Sequence, residues 1–336
     1  MHSIDDVAKR AGVSVKTVSR ILSGYTGVRP ATRGRVQRAM EELEYYPSAA
    51  ARLLRGKKVS TIGVIADNLT TTPDAFEIVA GIQSECQKHD TVMMIGETSG
   101  RASAFDTLVQ RFRQQRTAAI IYATMFMHEI AIAHSFRFCP LILVNCLDTK
   151  RAYPAVIPND HGGGRAAAMA LLKLGHRRIA FIGLFEDMPA TQQRKRGYLA
   201  ALQKQGIEID ERLIRTGVSN AGDGEFAPLP GVLRDLFSLK NPPTAIMCGN
   251  DKMAMRAFFL LRRTMGKEIP RDVSVMGYDN YRLIAENLLP GLTTMSLPYF
   301  DMGATAVRLA LAPPSKAATH RINGALIVRE STGKPA

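Results

Sequence analysis

Basic side chains are concentrated in the first sixth of the chain. The 336-residue sequence has a formal net charge of +14, and residues 1–58 contribute half of it through 12 basic and 5 acidic residues. Guanidinium and ammonium groups clustered in this way bind the phosphates of a polyanion. A generally basic surface would explain the sign of the charge but not its position. We therefore expect a polyanion to bind at the N-terminal end.

Two short amphipathic helices are predicted within this basic region. Apolar residues recur at i, i+3, i+4 and i+7 over residues 4–11, and four more follow with nearly the same spacing over residues 15–22. Ser3 begins a capping box, and Ser14 can cap the second helix. Gly12 can end the first helix in a left-handed conformation. Two helices joined by so short a turn form a helix-turn-helix, whose second helix enters the major groove of DNA.

A third helix and a short alanine-rich segment follow. Pro30 and Thr32 mark the start of the helix, whose apolar face can close a small three-helix core. Residues 48–56 end in glycine, and so short a helix is marginal alone in water. Its twin in a dimer and a DNA groove would stabilise it, since a leucine flanked by arginines suits minor-groove insertion. The alternative is a plain linker with a transient helix.

Four stretches of the N-terminal region carry a more specific signal. They are Ile4–Arg20, Val28-Arg29-x-x-Thr32-Arg33-x-Arg35-Val36, Tyr45-Tyr46-Pro47 and Ala51-Arg52-x-Leu54. Together they resemble the lactose and galactose repressor (LacI/GalR) family, and the resemblance continues to the end of the chain. Glu44 stands where the family often has glycine, and Ser48 where it often has asparagine. These two departures put the geometry of the hinge segment in question, but not the fold.

The resemblance implies which side chains contact DNA. Val15, Lys16 and Arg20 would face base edges, because a guanidinium fork matches O6 and N7 of guanine and a valine can touch a thymine methyl. Val15 has the alternative of being a half-buried helix residue. Leu54 would be the minor-groove wedge, with Arg55 beside it. The full predicted set is Ser14, Val15, Lys16, Thr17, Ser19, Arg20, Arg33, Leu54 and Arg55.

Beyond residue 59, short apolar runs alternate with helix-length segments. The strand-like runs lie at 61–66, 92–96, 119–123, 141–146, 179–183, 245–248 and 273–277. The helix-like segments lie at 76–88, 104–116, 163–174, 190–205, 226–239 and 251–265. This alternation predicts an α/β fold of parallel sheets with crossover helices. There are enough strands for two sheets, whose facing carboxyl ends would form a ligand-binding cleft.

The resemblance implies how the chain is divided. A helix-turn-helix headpiece would occupy residues 1–47 and a hinge helix or linker residues 48–58. A two-lobed, periplasmic-binding-protein-like core with two mainly parallel sheets would occupy residues 59–336. Its lobes would cover about 60–158 with 292–318, and about 159–291 with 319–336.

Motifs matched to the family place six residues in the cleft, and Phe76 is added because it follows the first strand. Arg194 would contact the effector, with Arg196 as the alternative if the register differs. Asn145 stands where several relatives have aspartate, so it keeps an acceptor and gains a donor. Asp279 follows a strand and has the alternative of ending that strand in a turn. The full set is Phe76, Asn145, Pro158, Arg194, Asn250, Asp279 and Tyr299.

The chemistry of this set suits a polyol. Sugar hydroxyls need paired donors and acceptors beside a flat apolar wall, which must be Phe or Tyr because the chain has no tryptophan. Three alternatives stay open. Asp251 can cap the helix that follows it, and Arg194 can pair with an acid of the cleft when empty. Arg194 would also suit a sugar acid.

We expect no catalytic, metal or cofactor site. Residues 162–164 are three glycines that precede a predicted helix and could cradle an anion, but the phosphate-loop pattern is absent. His176 lies in a turn that leads into a strand and is interpreted as structural. The cysteines are scattered, which predicts buried free thiols at Cys86, Cys139, Cys146 and Cys248. No membrane-length apolar run or secretory signal is found, so a cytoplasmic location is expected.

These features predict a DNA-binding transcriptional regulator, most simply a repressor of sugar-catabolic genes, and not an enzyme. Its partners would be a pseudo-palindromic operator, a second copy of the chain and a sugar-like effector in the cleft. Effector binding would move the lobes and separate the paired hinge helices. The alternatives are a nucleobase corepressor on the same fold, a solute-binding transport component and a sugar-modifying enzyme.

Overall fold

The computed structural model divides into two compact units. One comprises residues 1–61 with 90–92, and the other comprises residues 62–89 with 93–336. The residues that the structure describes are 2–23, 25–45, 60–69, 76–132, 136–220 and 224–336. The predicted hinge segment, with Leu54 and Arg55, lies outside the described residues.

Three helices enclose a small apolar core in the headpiece. They are α1 (Ile4–Ala11), α2 (Val15–Leu22) and α3 (Pro30–Glu42). Their buried residues are Val7, Ala8, Ala11, Val18, Ile21, Val36 and Ala39. These positions fall on the apolar stripes predicted from spacing, because each helix needs only one face to exclude water.

Local hydrogen bonds cap the N-termini of both α1 and α2. The Asp6 amide donates to Ser3 Oγ at 3.3 Å and the Ser3 amide to Asp6 Oδ2 at 2.8 Å, which lowers the pKa of Asp6. Gly12 ends α1 with φ 63°, a conformation that costs glycine little. Ser14 Oγ accepts from the Thr17 amide at 3.2 Å, so the caps predicted for the two helices are confirmed.

The described part of the core contains two six-stranded sheets and the helices that cover them. The strands are β1 (Ser60–Asp67), β2 (Thr91–Glu97), β3 (Ala119–Ile130), β4 (Leu141–Asp148), β5 (Ala155–Pro158), β6 (Ile179–Gly183), β7 (Ile214–Thr216), β8 (Ala245–Cys248), β9 (Ser274–Asp279), β10 (Thr293–Ser296), β11 (Thr319–Ile322) and β12 (Leu326–Ile327). The helices are α4 (Phe76–Lys88), α5 (Ala102–Gln114), α6 (Asp160–Lys173), α7 (Pro189–Lys204), α8 (Leu229–Ser238), α9 (Asp251–Phe259), α10 (Arg282–Ala285) and α11 (Tyr299–Leu311), with a 3-10 turn at Glu211–Leu213 and a π-helical segment at Leu260–Thr264.

The strand order confirms the predicted fold class. The first sheet runs β11-β5-β4-β3-β1-β2 and the second runs β12-β10-β9-β8-β6-β7. The strands pair in parallel from β11 through to β1 in the first sheet and from β10 through to β7 in the second, whereas β10 and β12 pair antiparallel. All eight residues of β4 are buried, as expected for a central strand covered on both faces.

Strand pairing corrects the predicted bounds of the lobes. The prediction assigned 292–318 to the first lobe and 319–336 to the second. However, β10 pairs with β9 in the second sheet, and β11 pairs with β5 in the first. These strands have only four residues each, so their sequences do not show to which sheet they belong. That choice depends on the strand with which each of them forms backbone hydrogen bonds.

The four cysteines are buried and free, as predicted. Burial raises the pKa of the Cys86 and Cys139 thiols to about 11. The reactive thiolate is therefore scarce at neutral pH. Among the described residues, no helix has both the length and the apolar composition needed to cross a membrane.

His176 joins three segments of the second lobe. Its Nδ1 lies 2.8 Å from Thr244 Oγ1, and its Nε2 lies 3.1 Å from Ser274 Oγ and 2.9 Å from the Gly333 carbonyl oxygen. Burial lowers the pKa of His176 from its ordinary value of 6.5. The side chain therefore links the strands to the C-terminal segment in its neutral form.

Acidification is expected to destabilise the second lobe through His176. The unfolded chain binds the proton at higher pH than the folded one, so the stabilisation is complete above the ordinary histidine pKa and is lost as pH falls below it. We expect the temperature of half-unfolding to be lower at about pH 5.5 than at about pH 7. The decrease should be smaller in His176→Gln. Parallel profiles of the two proteins would contradict this prediction.

Candidate functional site

The exposed face of α2 presents the residues predicted to contact DNA. Val18 and Ile21 are buried on its opposite face. The exposed residues of the helix and its cap are Ser14, Val15, Lys16 and Arg20, while Thr17 and Ser19 are half-buried. Val15 is 38% exposed, so the core does not account for this valine. A surface of this kind, projecting from a helix N-terminus, suits contact with base edges and phosphates.

Tyr25 contacts the two arginines that flank this face. The Arg20 guanidinium carbon lies 5.5 Å from the centroid of the Tyr25 ring. Arg33 Nη2 donates to the Tyr25 carbonyl at 2.7 Å, so Arg33 also holds the connection between α2 and α3. Its contact with DNA remains a prediction.

A cavity of about 370 Å³ lies at the carboxyl ends of the strands of both sheets. The structure brings six of the seven predicted effector residues to its wall. These six are Asn145, Pro158, Arg194, Asn250, Asp279 and Tyr299. Parallel strands that end at a common edge of each sheet explain why residues so distant in sequence meet here.

Phe76 does not line this cavity. Strand β1 ends at Asp67, and Asn68 directly after it contributes to the wall. Phe76 begins α4 and is 56% exposed. The aromatic side chain on this side of the cavity is instead Phe126, from the extended part of β3.

Arg194 is buried in the cavity wall and paired with Asp160. Its Nε donates to Asp160 Oδ1 at 2.7 Å and its Nη1 to the Gly249 carbonyl at 2.9 Å, while the guanidinium carbon lies 3.6 Å from the Tyr278 ring centroid. Burial is the largest influence and opposes the charged form, but Asp160, Tyr278 and Asp279 together outweigh it and raise the pKa of Arg194. Arg194 therefore remains charged and is held in place by Asp160. Pairing with an acid of the cleft was one of the alternatives left open from the sequence.

Glycines allow α6 and α7 to approach closely enough to form this pair. A Cβ at Gly164 would lie 2.2 Å from the Arg194 carbonyl oxygen, and one at Gly197 would lie 2.1 Å from the His161 carbonyl oxygen. Because α6 begins at Asp160, the three glycines 162–164 lie inside the helix, where Gly163 and Gly164 face Tyr278 and Arg194 and Gly162 faces the N-cap Asn159. The expectation that these glycines precede the helix is therefore wrong.

Gly197→Ala is expected to destabilise the core by about 1–3 kcal/mol, because the added methyl meets backbone that cannot rotate away. Gly231→Ala is the matched control, since Gly231 is also helical and meets only a distant Arg234 Nη2 at 4.0 Å. The control should be neutral or slightly stabilising, because alanine is the better helix former. Urea unfolding of the three proteins measures both effects, and equal stabilities would refute the close-packing argument.

Asn145 is largely committed to the protein itself. Its Nδ2 donates to the Thr124 carbonyl at 3.1 Å and to the Met125 carbonyl at 2.7 Å. In return, Thr124 Oγ1 donates to the Asn145 carbonyl at 2.9 Å. Both hydrogens of the side-chain amide are used within the protein. The donor that was expected to contact a ligand therefore binds the backbone of β3 instead. What Asn145 can offer a ligand is its Oδ1 acceptor.

Asn250 and Asp251 have different roles at the start of α9. Asn250 Oδ1 accepts from the Met253 amide at 2.8 Å, so Asn250 rather than Asp251 caps the helix. Asp251 is fully buried and accepts from Thr294 Oγ1 and the Tyr281 amide, both at 2.7 Å. Asp251 therefore joins β10 to the loop after β9 instead of meeting the ligand.

Asp279 lies on a strained backbone at the end of β9. Its φ is 112° and that of Asn280 is 57°, values that residues with a Cβ atom rarely adopt. Asp279 Oδ1 lies 4.0 Å from Arg194 Nη1. Strain of this kind is retained where the surrounding structure holds it, and it concentrates at functional sites. The residue both ends the strand and lines the cavity, and its contact with an effector remains a prediction.

Several lining residues were missed by the sequence argument. They are Asn68, Met125, Phe126, Met127, Asp160, Leu184, Met188, Ala190, Glu225, Lys252 and Leu297. Asn68, Leu184 and Leu297 each directly follow a strand, so a strict strand-end rule would have found them. The others come from helices, from the extension of β3 and, for Met188 and Glu225, from loops, and no local pattern locates them.

The chain combines a helix-turn-helix headpiece, which has a basic exposed face, with a two-lobed α/β core that has a polar cleft. This combination defines a DNA-binding transcriptional regulator with an effector domain. The profile for bacterial regulatory proteins of the lacI family matches residues 3–48, and the profile for a periplasmic binding protein-like domain matches residues 168–332. The chain is 33% identical over 340 aligned residues to the sucrose operon repressor of Shigella flexneri, covering 99% of this chain and 100% of the relative. It belongs to the LacI family.

Two solved structures are similar over nearly the whole chain. The lac repressor dimer bound to operator and the anti-inducer ONPF is 25% identical, with a TM-score of 0.77 and 99% of both chains covered. The complex of transcriptional regulator CelR with cellobiose is 26% identical, with a TM-score of 0.62 and coverage of 98% of this chain and 100% of the other. Both share the two-sheet α/β architecture described above.

Proposed function

We propose that the protein is a cytoplasmic, homodimeric repressor of sugar-catabolic genes and not an enzyme. It binds a pseudo-palindromic operator and is released by a sugar-like effector. The observation that carries this proposal is the convergence of Asn145, Arg194, Asn250 and Asp279 with an aromatic wall in one cavity. The names of relatives support it, since one represses a sucrose operon and another is solved with cellobiose.

The charge of the cavity favours a neutral polyol over a sugar acid. Its ionisable lining consists of two cations and three carboxylates, namely Arg194, Lys252, Asp160, Glu225 and Asp279. Arg194, the buried cation of the lining, is already paired with Asp160. The remaining carboxylates would repel an anion but accept hydrogen bonds from sugar hydroxyls. The volume of about 370 Å³ is typical of a small-ligand site.

The cavity lies where the chain crosses between the lobes. Pro158, Leu297 and Tyr299 line it, and each adjoins a crossing between the two sheets. A ligand that contacts Asn145 of the first lobe and Asp279 of the second therefore favours one relative placement of the lobes. A coupling of about 1–3 kcal/mol to the DNA-binding state would change operator affinity by roughly 5- to 150-fold.

The direct test uses the full chain. An operator is selected from random duplexes at physiological salt, and its affinity is then titrated with neutral sugars, sugar acids and nucleobases. We expect a palindromic site whose affinity falls on addition of a neutral sugar. Tighter binding with a nucleobase would instead identify a corepressor, and no preference for any duplex would refute the proposal.

Leu54→Ala is expected to weaken operator binding by roughly tenfold or more, about 1.4 kcal/mol, because the apolar wedge that unstacks a base step is lost. Effector affinity should be unchanged, since the cavity is formed by other residues. A gel-shift titration measures the first quantity and calorimetry the second. Wild-type operator affinity in the variant would exclude the wedge.

A further inference from the structure

The connection between α2 and α3 carries an exposed tyrosine that the headpiece core does not use. The Tyr25 side chain is 53% exposed. Among the described residues of the headpiece, the side chains that form the apolar core do not include it. Packing of the core therefore does not explain where the ring lies, and its contacts have to be sought on the surface.

Three hydrogen bonds fix the connection around Tyr25. The Tyr25 amide donates to the Arg20 carbonyl at 3.0 Å, and Ser23 Oγ donates to the same carbonyl at 2.9 Å. From α3, Arg33 Nη2 donates to the Tyr25 carbonyl, as described above. The backbone of Tyr25 is therefore tied to both helices, and its ring extends from a fixed point beside the exposed face of α2.

The Tyr25 ring lies directly on the backbone of Gly27. A Cβ atom at Gly27 would lie 2.6 Å from Cε1 of Tyr25 and 2.7 Å from both its Cζ and its hydroxyl oxygen. Gly27 is not among the glycines with a positive φ, so its backbone conformation alone does not require glycine. The close approach of the ring is what requires a residue without a side chain here.

The same ring holds the guanidinium group of Arg20. The distance of 5.5 Å between the guanidinium carbon and the ring centroid is within the range of cation–π attraction. The N–H groups that point away from the ring remain available to O6 and N7 of a guanine. Because a long side chain loses rotamer freedom when it is ordered on a base, a contact that orders it in advance favours binding.

We propose that Tyr25 positions Arg20 for its base contact in the operator, and that Gly27 provides the space in which the ring lies. Tyr25 is thus a positioning residue for sequence recognition, in addition to the residues predicted to contact DNA. This inference rests on the proposed operator binding and on the predicted contact of Arg20 with a base.

Variants of Tyr25 in the full-length chain test this role by anisotropy titrations on the selected operator and on random duplex. We expect Tyr25→Ala to weaken operator binding by roughly 5- to 30-fold, the range of a cation–π contact from which DNA excludes water, with little change on random duplex. Tyr25→Phe should bind like the wild type, because it keeps the ring. An equal loss in Tyr25→Phe would assign the effect to the hydroxyl and overturn the proposal.

A double-mutant cycle shows whether Tyr25 acts through Arg20. In an Arg20→Ala background, Tyr25→Ala should cause no further loss of operator affinity, because the group that the ring positions is already gone. A tyrosine that only stabilised the headpiece, or that bound a phosphate by itself, would give additive losses. Additive losses would therefore overturn the positioning role.

Gly27→Ala displaces the ring without removing it. The exposed end of the Tyr25 side chain can rotate away from the added methyl, so thermal stability should hardly change while operator affinity falls as in Tyr25→Ala. In a Tyr25→Ala background, Gly27→Ala should have no effect. Gly34→Ala is the matched control, because a Cβ atom at Gly34 would meet nothing within 4 Å. Wild-type operator affinity in Gly27→Ala would contradict the proposed fit between ring and glycine.

Failure of this inference can be told apart from failure of the proposed function. The absence of any preferred duplex would refute operator binding before a variant is made. Wild-type operator affinity in Arg20→Ala would overturn the predicted base contact and the positioning role together. A loss in Arg20→Ala beside wild-type affinity in Tyr25→Ala would overturn the positioning role alone and leave the proposed repressor function intact.

Discussion

Arg194→Met is expected to destabilise the core by about 3–5 kcal/mol and to abolish the effector response, because it leaves Asp160 as an unpaired charge in a buried site. The side chains of both partners are less than a tenth exposed, so solvent cannot screen the loss. The guanidinium also bridges the lobe's helices to the strand-end loop through the Gly249 carbonyl. Chemical denaturation and an operator-release assay measure the two effects separately.

A double variant distinguishes the structural role of Arg194 from its role toward the ligand. Arg194→Met combined with Asp160→Leu removes both charges, and replacing a buried ion pair by apolar residues is often neutral for stability. We expect most of the stability to return while the effector response stays absent. Recovery of the response together with stability would show that Arg194 acts only as a packing element.

Arg20→Ala is expected to weaken operator binding by roughly 5- to 150-fold, about 1–3 kcal/mol, and to relax the preference for one base. Arg20→Lys separates charge from geometry, because lysine keeps the charge but loses the planar fork that matches guanine. The lysine variant should retain binding to random duplex while losing most of its specificity. Anisotropy titrations on operator and random DNA, at two salt concentrations, measure both quantities.

The outcome for random DNA decides what Arg20 contacts. If Arg20 read only phosphates, alanine would weaken operator and random duplex equally and reduce the salt dependence by about one counterion. Its position over the Tyr25 ring limits the directions in which its guanidinium can reach DNA. The same ring would support lysine less well, because a guanidinium stacks on an aromatic face and an ammonium does not.

Much of the lining of the cavity could be predicted because strand ends are visible in the sequence. Asn250 and Asp279 each terminate or follow a short apolar run, and the structure places both at the cavity. Phe76 was placed in the cleft because it follows the first strand, but β1 ends well before it and Phe76 lies outside the lining. Asp160 escaped notice because nothing in its neighbourhood indicates that Arg194, on another helix, would pair with it.

The sequence by itself determined the headpiece, the alternation of strands and helices, and the edge of the sheets at which the cavity lies. These features depend on periodicity, caps and turns, whose interactions span only a few residues. Only the tertiary structure decided that the glycines of α6 bring Arg194 to Asp160 and that the Asn145 amide donates to the backbone of β3. It also decided that β10 belongs to the second sheet and β11 to the first. Each of these depends on contacts between segments far apart in the chain, where the identity of a residue says what it can bond but not which partner the fold will bring to it.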